Sequence, residues 1–152
     1  MRTALKAAVL LPFLWALHAN SASAQSPIKS IDHVVIDVSE QKMYVFDAQN
    51  AVVAKWPIST GAKSTPTPLG SFFVTTKSRS TFSIPNPDVT MQWMTRFRGN
   101  YGIHAIPRRS GKPLWTPLGK AGVSHGCVRL SDEHAKLLYD LLPKGSSVKV
   151  RP

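Results

Sequence analysis

The chain has 152 residues, with 19 Lys and Arg against 8 Asp and Glu, a formal net charge of +11 and 43% hydrophobic residues. That length suits one domain, the apolar content is too high for a wholly disordered chain, and the single cysteine excludes both an intramolecular disulfide and the paired cysteines of a structural zinc site. The positive charge suits an anionic partner, whether nucleic acid, a membrane surface or an acidic polymer, and does not choose among them.

The chain opens with Arg2 and Lys6, followed by an apolar run over residues 7–19 that carries Leu10, Leu11, Phe13, Leu14, Trp15 and Leu17. Ala22, Ser23 and Ala24 then supply small residues for cleavage, so residues 1–24 are expected to be a cleaved secretory signal peptide. The run is short and broken by Pro12, which argues against a membrane span about 30 Å deep, and no stable membrane insertion is expected after cleavage. Residues 25–152 would then form a single exported domain in the periplasm or cell envelope. Export matters for Cys127, because a free thiol in an oxidising compartment needs a reason to be kept.

Mainly β structure is predicted for the rest. Residues 31–38 alternate, with Val34, Ile36 and Val38 on one face, and pair as a hairpin with residues 42–46 across the polar Ser39, Glu40 and Gln41. Further β-branched or aromatic runs at residues 51–58 and 71–76 are separated by a stretch with Gly61, Pro66, Pro68 and Gly70. Residues 91–97 and 101–106 are later strands, and residues 147–150 close the sheet. One helix is expected after Ser131, a good N-cap. Asp132 and Glu133 lie in its first turn, Ala135, Leu138, Leu141 and Leu142 recur at helical spacing, and Pro143 and Gly145 stop it. Residues 107–123 read as a long basic loop rich in Pro and Gly, a type of connection that is often functional.

Ser124, His125, Gly126 and Cys127 place the only cysteine just ahead of that helix. A helix N-terminus and nearby cations lower a thiol pKa, so Cys127 is expected to be a nucleophile. Gly126 permits close backbone approach, and the amides of Gly126 and Cys127 are candidates for holding an oxyanion. Arg129 offers a planar fork to a carboxylate. His104, at the end of a predicted strand 23 residues upstream, is the candidate base. His33 and His134 fall in a strand and a helix turn without an evident partner, and read as packing or surface residues. His125 and Cys127 alone make no zinc site, so no metal is expected.

Together these residues resemble the L,D-transpeptidase family of peptidoglycan enzymes, whose catalytic domain has an upstream strand His and a Ser-His-Gly-Cys loop. The likeness extends to Thr67, Pro68, Leu69, Gly70, Ser71 and Phe72, to Met91, Gln92, Trp93 and Met94, and to Tyr101, Gly102, Ile103 and His104. It covers nearly all of residues 31–150. One departure is visible: many members have Gly after the upstream His, where this chain has Ala105.

The resemblance implies a β-sandwich or barrel-like domain with one helix after the Cys loop. It makes Cys127 the nucleophile and His104 the base, with the carbonyl of Ala105 orienting the imidazole. Ser124, His125, Gly126, Arg129 and Ala105 would bind substrate. The implied reaction is acyl transfer between peptidoglycan stem peptides through a Cys127 thioester, with no cofactor and no nucleic-acid partner, and with carbapenem β-lactams as covalent inhibitors. Stem trimming or D-amino-acid exchange would use the same site. The distant alternative is a cationic exported module that binds sacculi and carries an inert Cys. The family also places a lid near residues 91–100, so Trp93, Phe97 and Tyr101 read as either core or lid. Arg108, Arg109, Lys112 and Lys120 read as a solvated surface or as an attraction for peptidoglycan carboxylates.

Overall fold

The structure, a computed structural model, describes residues 27–152; the expected signal peptide at residues 1–24 lies outside the described residues. The domain is mainly β, two curled sheets with one helix.

Alternating apolar residues build the first sheet. β1 (His33–Asp37) pairs antiparallel with β2 (Lys42–Phe46), the hairpin expected from alternation, and β2 pairs in turn with β3 (Val52–Pro57). β4 (Gly70–Phe73) lies at the far edge, and β11 (Ser147–Arg151) fills the space between it and β1, parallel to β1. The inward residues Val34, Ile36, Met43, Val45, Val148 and Val150 are almost fully buried.

The second sheet is organised by β6 (Val89–Arg98), ten residues long. One edge of it is covered by β5 (Thr76–Phe82). Its other edge is shared between β7 (Tyr101–Ala105) and β8 (Arg108–Arg109), with β9 (Lys112–Pro113) outside β8. β10 (Val128–Leu130) joins β7 in parallel, with Val128 opposite Ile103 and Arg129 opposite His104.

β5 was not expected, because Thr76–Phe82 reads TKSRSTF and buries neither face, leaving no alternation to see. Pairing with β6 makes it a strand. The expected loop over residues 107–123 also contains a small ribbon. Ser110 and Gly111 both have positive φ, 48° and 77°, which is the twist of a two-residue hairpin turn between β8 and β9.

The helix α1 (Asp132–Leu141) is framed as its sequence required. The Ser131 side chain accepts the His134 amide at 3.2 Å, and Arg108 pairs with Asp132 in the first turn. At the other end the ammonium of Lys77, on β5, donates to the Leu142 carbonyl at 2.8 Å. Ala135, Leu138 and Leu142 are buried, and α1 packs on β6, β7 and β10, so one apolar core joins both sheets and the helix.

Candidate active site

The side-chain alternation of the second sheet separates core from site. Thr95, Ile103 and Val128, in one cross-strand row, are fully buried. Their neighbours along the strands, Met94, Arg96, His104, Cys127 and Arg129, face the opposite way and line a cavity of about 500 Å³. Phe82 at the end of β5 and Ile84 and Asn86 from the β5–β6 turn, with Asn100, Tyr101, Ser124 and His125, complete much of its wall.

The Cys loop is held by polar side chains from sequence-distant segments. Ser124 is 3% exposed, and its hydroxyl accepts the Gly126 amide at 3.0 Å and donates to the Cys127 carbonyl at 2.5 Å. Thr67, equally buried, donates its hydroxyl to the Gly126 carbonyl and accepts the Gly61 amide, both at 2.9 Å. Thr65 donates to the Ser124 carbonyl at 2.8 Å. Behind them the Gln41 side chain bonds the Thr60 hydroxyl and amide at 2.7 and 3.0 Å, and the Thr60 carbonyl receives the amides of Val123 and Ser124. The segment after β3 is further stitched to β10, where Ser59 and Arg129 exchange backbone hydrogen bonds of 3.0 and 2.8 Å. Gly126 has φ +112°, and a Cβ there would stand 2.3 Å from the Tyr101 ring, so only glycine allows this loop to lie against Tyr101.

Sequence reading singled out Thr67 only as part of a motif and did not identify Gln41, Thr60 or Thr65. Thr60 directly ahead of the Gly-Pro-rich stretch and Gln41 in the β1–β2 turn carry no local signal that names a partner.

His104 is 1% exposed, and its Nδ1 lies 2.6 Å from the Ala105 carbonyl oxygen. That oxygen can only accept, so Nδ1 carries the proton and Nε2 carries the lone pair. Burial pushes the His104 pKa down to about 4; the bond to Ala105 opposes this, and the charges of Arg129 and Arg96 reinforce it. The ring is therefore neutral at neutral pH. The methyl of Ala105 is buried in the core, so this residue reaches the site through its backbone.

Cys127 is half-buried, and its thiol points to the Asn100 carbonyl at 3.7 Å. Burial raises its pKa, against the Gly102 amide and the charges of Arg96 and Arg129, which lower it. The thiol was expected to sit at a helix N-terminus with its pKa depressed. That expectation is corrected: β10 and Ser131 separate Cys127 from α1, and burial outweighs the nearby cations. The Gly126 amide, expected to face an oxyanion, is already donated to Ser124.

Among the described residues the cavity wall carries four arginines, Arg96, Arg98, Arg109 and Arg129, and no carboxylate. Arg109 is paired with Asp88 at 2.8 Å, and Arg98 lies over the Phe72 ring. Arg129 donates to the Thr116 hydroxyl at 3.2 Å, while its Nε is buried without a partner. Arg96, which sequence reading did not single out, has as its side-chain hydrogen-bond partners among the described residues the hydroxyls of Ser78 and Thr81, at 3.5 and 3.3 Å. His125 is exposed at the cavity wall.

The remaining candidates sort clearly. Phe97 is in the core, Trp93 packs against Tyr139 of α1, and Tyr101 lies between Gly126 and the cavity. His33 stacks on Phe46 and His134 on Trp56. Arg108 is tied to Asp132, and Lys112 is exposed.

The family model described as YkuD, the L,D-transpeptidase catalytic domain, matches residues 31–150. "Putative L,D-transpeptidase YkuD" of Bacillus subtilis (strain 168) is 26% identical over 118 residues, which cover 78% of this chain and 65% of that protein. "Putative L,D-transpeptidase YciB" of the same organism is 31% identical over 128 residues, covering 78% of this chain and 66% of that one. Among solved structures, LdtMt1 in complex with imipenem superposes with a TM-score of 0.66 at 26% identity, over 78% of this chain and 57% of that one. The chain thus spans less than two thirds of the length of each.

Proposed function

We infer that this chain, which belongs to the YkuD L,D-transpeptidase family, transfers an acyl group between peptidoglycan stem peptides through a thioester on Cys127. The observation that carries this reading is the convergence of Cys127 and a neutral, backbone-anchored His104 on one cavity whose charged side chains are all cationic. Stem peptides bring carboxylates to such a wall.

Because burial disfavours both the thiolate and the imidazolium, the resting pair is a neutral thiol and a neutral imidazole. Nε2 of His104 takes the thiol proton as Sγ attacks the carbonyl of the third residue, a diamino acid, in a tetrapeptide stem. The Cys127 amide, with that of Gly126 already engaged, serves the developing oxyanion. The imidazolium then protonates the departing amine of the terminal D-alanine, the C–N bond breaks, and a thioester remains. The amine of a second stem's diamino acid attacks the thioester, His104 removes its proton, and the thiol leaves with that proton. The same steps with water trim the stem, and with a free D-amino acid they exchange its last residue. The apolar leader at residues 1–24 supports export to the envelope, where this substrate is.

The test is mass spectrometry of purified disaccharide-tetrapeptides after incubation with residues 25–152. Dimers bridged between two diamino acids are expected, none with Cys127→Ala, and a loss of about 10²- to 10⁴-fold with His104→Ala. Tripeptides alone would turn the reading to trimming, and turnover by Cys127→Ala would overturn it.

A further inference from the structure

The strand register places Arg96 in a specific relation to the thiol. Arg96 on β6 stands opposite Gly102 on β7, and the parallel pairing of Val128 with Ile103 puts Cys127 level with Gly102 on the other side. Arg96, Gly102 and Cys127 thus form one row across three adjacent strands, with the Cα atoms of the outer two roughly 10 Å apart at ordinary strand spacing. His104 and Arg129 form the next row on the same face. The only residue between Arg96 and Cys127 has no side chain, and a Cβ there would meet the Met94 sulfur at 2.5 Å.

The two site-facing rows therefore each end in an arginine. Neither Arg96 nor Arg129 takes part in an ion pair among the described residues. Arg96 is half-buried, and its two contacts, to hydroxyls at 3.3 and 3.5 Å, are long for a guanidinium. A partly desolvated guanidinium with weak neutral partners gains most from a carboxylate, which it can grip with two parallel bonds. One arginine per row beside the reactive sulfur suits a ligand with two carboxylates on that scale, and Arg129 accounts for only one.

We propose that Arg96 is a specificity-determining residue that binds a second carboxylate of the donor stem, the one carried by the side chain of its third-position diamino acid. The site then favours a stem whose diamino acid keeps that carboxylate free over the same stem with it masked as an amide. The inference rests on the transpeptidase reading above, and adds to it which stem chemistry is selected and by which residue.

Two synthetic stems that differ only in that acid or amide test it, each assayed by steady-state turnover with the native chain, Arg96→Gln and Arg96→Lys, with circular dichroism to show that the variants fold. The native chain should prefer the acid stem in kcat/KM by roughly 10- to 100-fold, the scale of one charge-assisted hydrogen-bonded pair. Arg96→Gln should abolish that preference, chiefly by raising KM for the acid stem beyond the loss in kcat that both stems share when the Arg96 charge is removed beside Cys127 and His104. Arg96→Lys should keep part of the preference. An equal fall on both stems, or a preference that survives Arg96→Gln, would overturn the proposal, because Arg96 would then act only on the field at the thiol or not at all. Calorimetric binding of both stems to Cys127→Ala, with and without Arg96→Gln, gives the same comparison without turnover. Preferential binding without turnover would sink the transpeptidase reading and retain the Arg96 site, whereas equal binding of both stems would sink the Arg96 site alone.

Discussion

Lowering the pH from about 7 to about 4 should unload a defined part of the native stability through His104. The folded chain holds this ring at a pKa of about 4, chiefly by burial, against an ordinary value of 6.5. The folded value is the lower one, so between the two the unfolded chain binds the extra proton. Stability is then complete above about 6.5 and declines as the pH falls toward 4, where both forms are protonated. At about 1.4 kcal/mol per tenfold, the interval amounts to about 3 kcal/mol. A burial of 99% leaves little solvent to screen the cost, and the Ala105 carbonyl satisfies only Nδ1, so an added proton on Nε2 enters the site beside Arg129 and Arg96. Urea unfolding of the native chain and of His104→Gln, across that pH range, isolates the contribution, since His134, whose pKa burial also lowers, titrates in both. The native chain should lose about 3 kcal/mol more than the variant. If the two fall in parallel, or if an NMR titration finds the ring near 6.5, the neutral-pair description of the site is wrong. The same reasoning puts the acid limb of kcat/KM near the His104 value and not near that of a free histidine.

Thr67→Val keeps the side-chain shape but removes both the bond to the Gly126 carbonyl and the acceptor for the Gly61 amide, so it should cost about 1–3 kcal/mol in chemical denaturation and lower turnover by loosening the Cys loop; native values in both would mean that the loop is held elsewhere. A carbapenem should add its whole mass to the folded chain at Cys127, because opening of its strained ring leaves a thioester in a cavity suited to an acyl-enzyme. Intact-protein mass spectrometry should find no adduct on Cys127→Ala, and an adduct there would place the chemistry on another residue.

What could be read from the sequence was what neighbouring residues decide. Alternation in residues 31–38 and 42–46 became β1 and β2, and Ser131, the acidic first turn and Pro143 framed α1, because side-chain period and end-group chemistry act over a few residues. Cys127 and His104 could be named as candidates from their local motifs. The cavity that both of them line depends on the assembled sheet. The parallel register that sets Val128 against Ile103, and so sets the Cys loop beside the His104 strand, joins segments 25 residues apart. Burial, which is a sum over the whole fold, chiefly decided that the imidazole pKa falls and that the thiol pKa rises, the latter reversing what proximity to a helix start suggested. β5 has no local pattern and exists through its partner β6, and it is β5 that supplies the hydroxyls beside Arg96. Gln41, Thr60 and Thr67 are ordinary polar residues until the fold buries them, after which each must find a partner, and the partners they find hold the Cys loop in place.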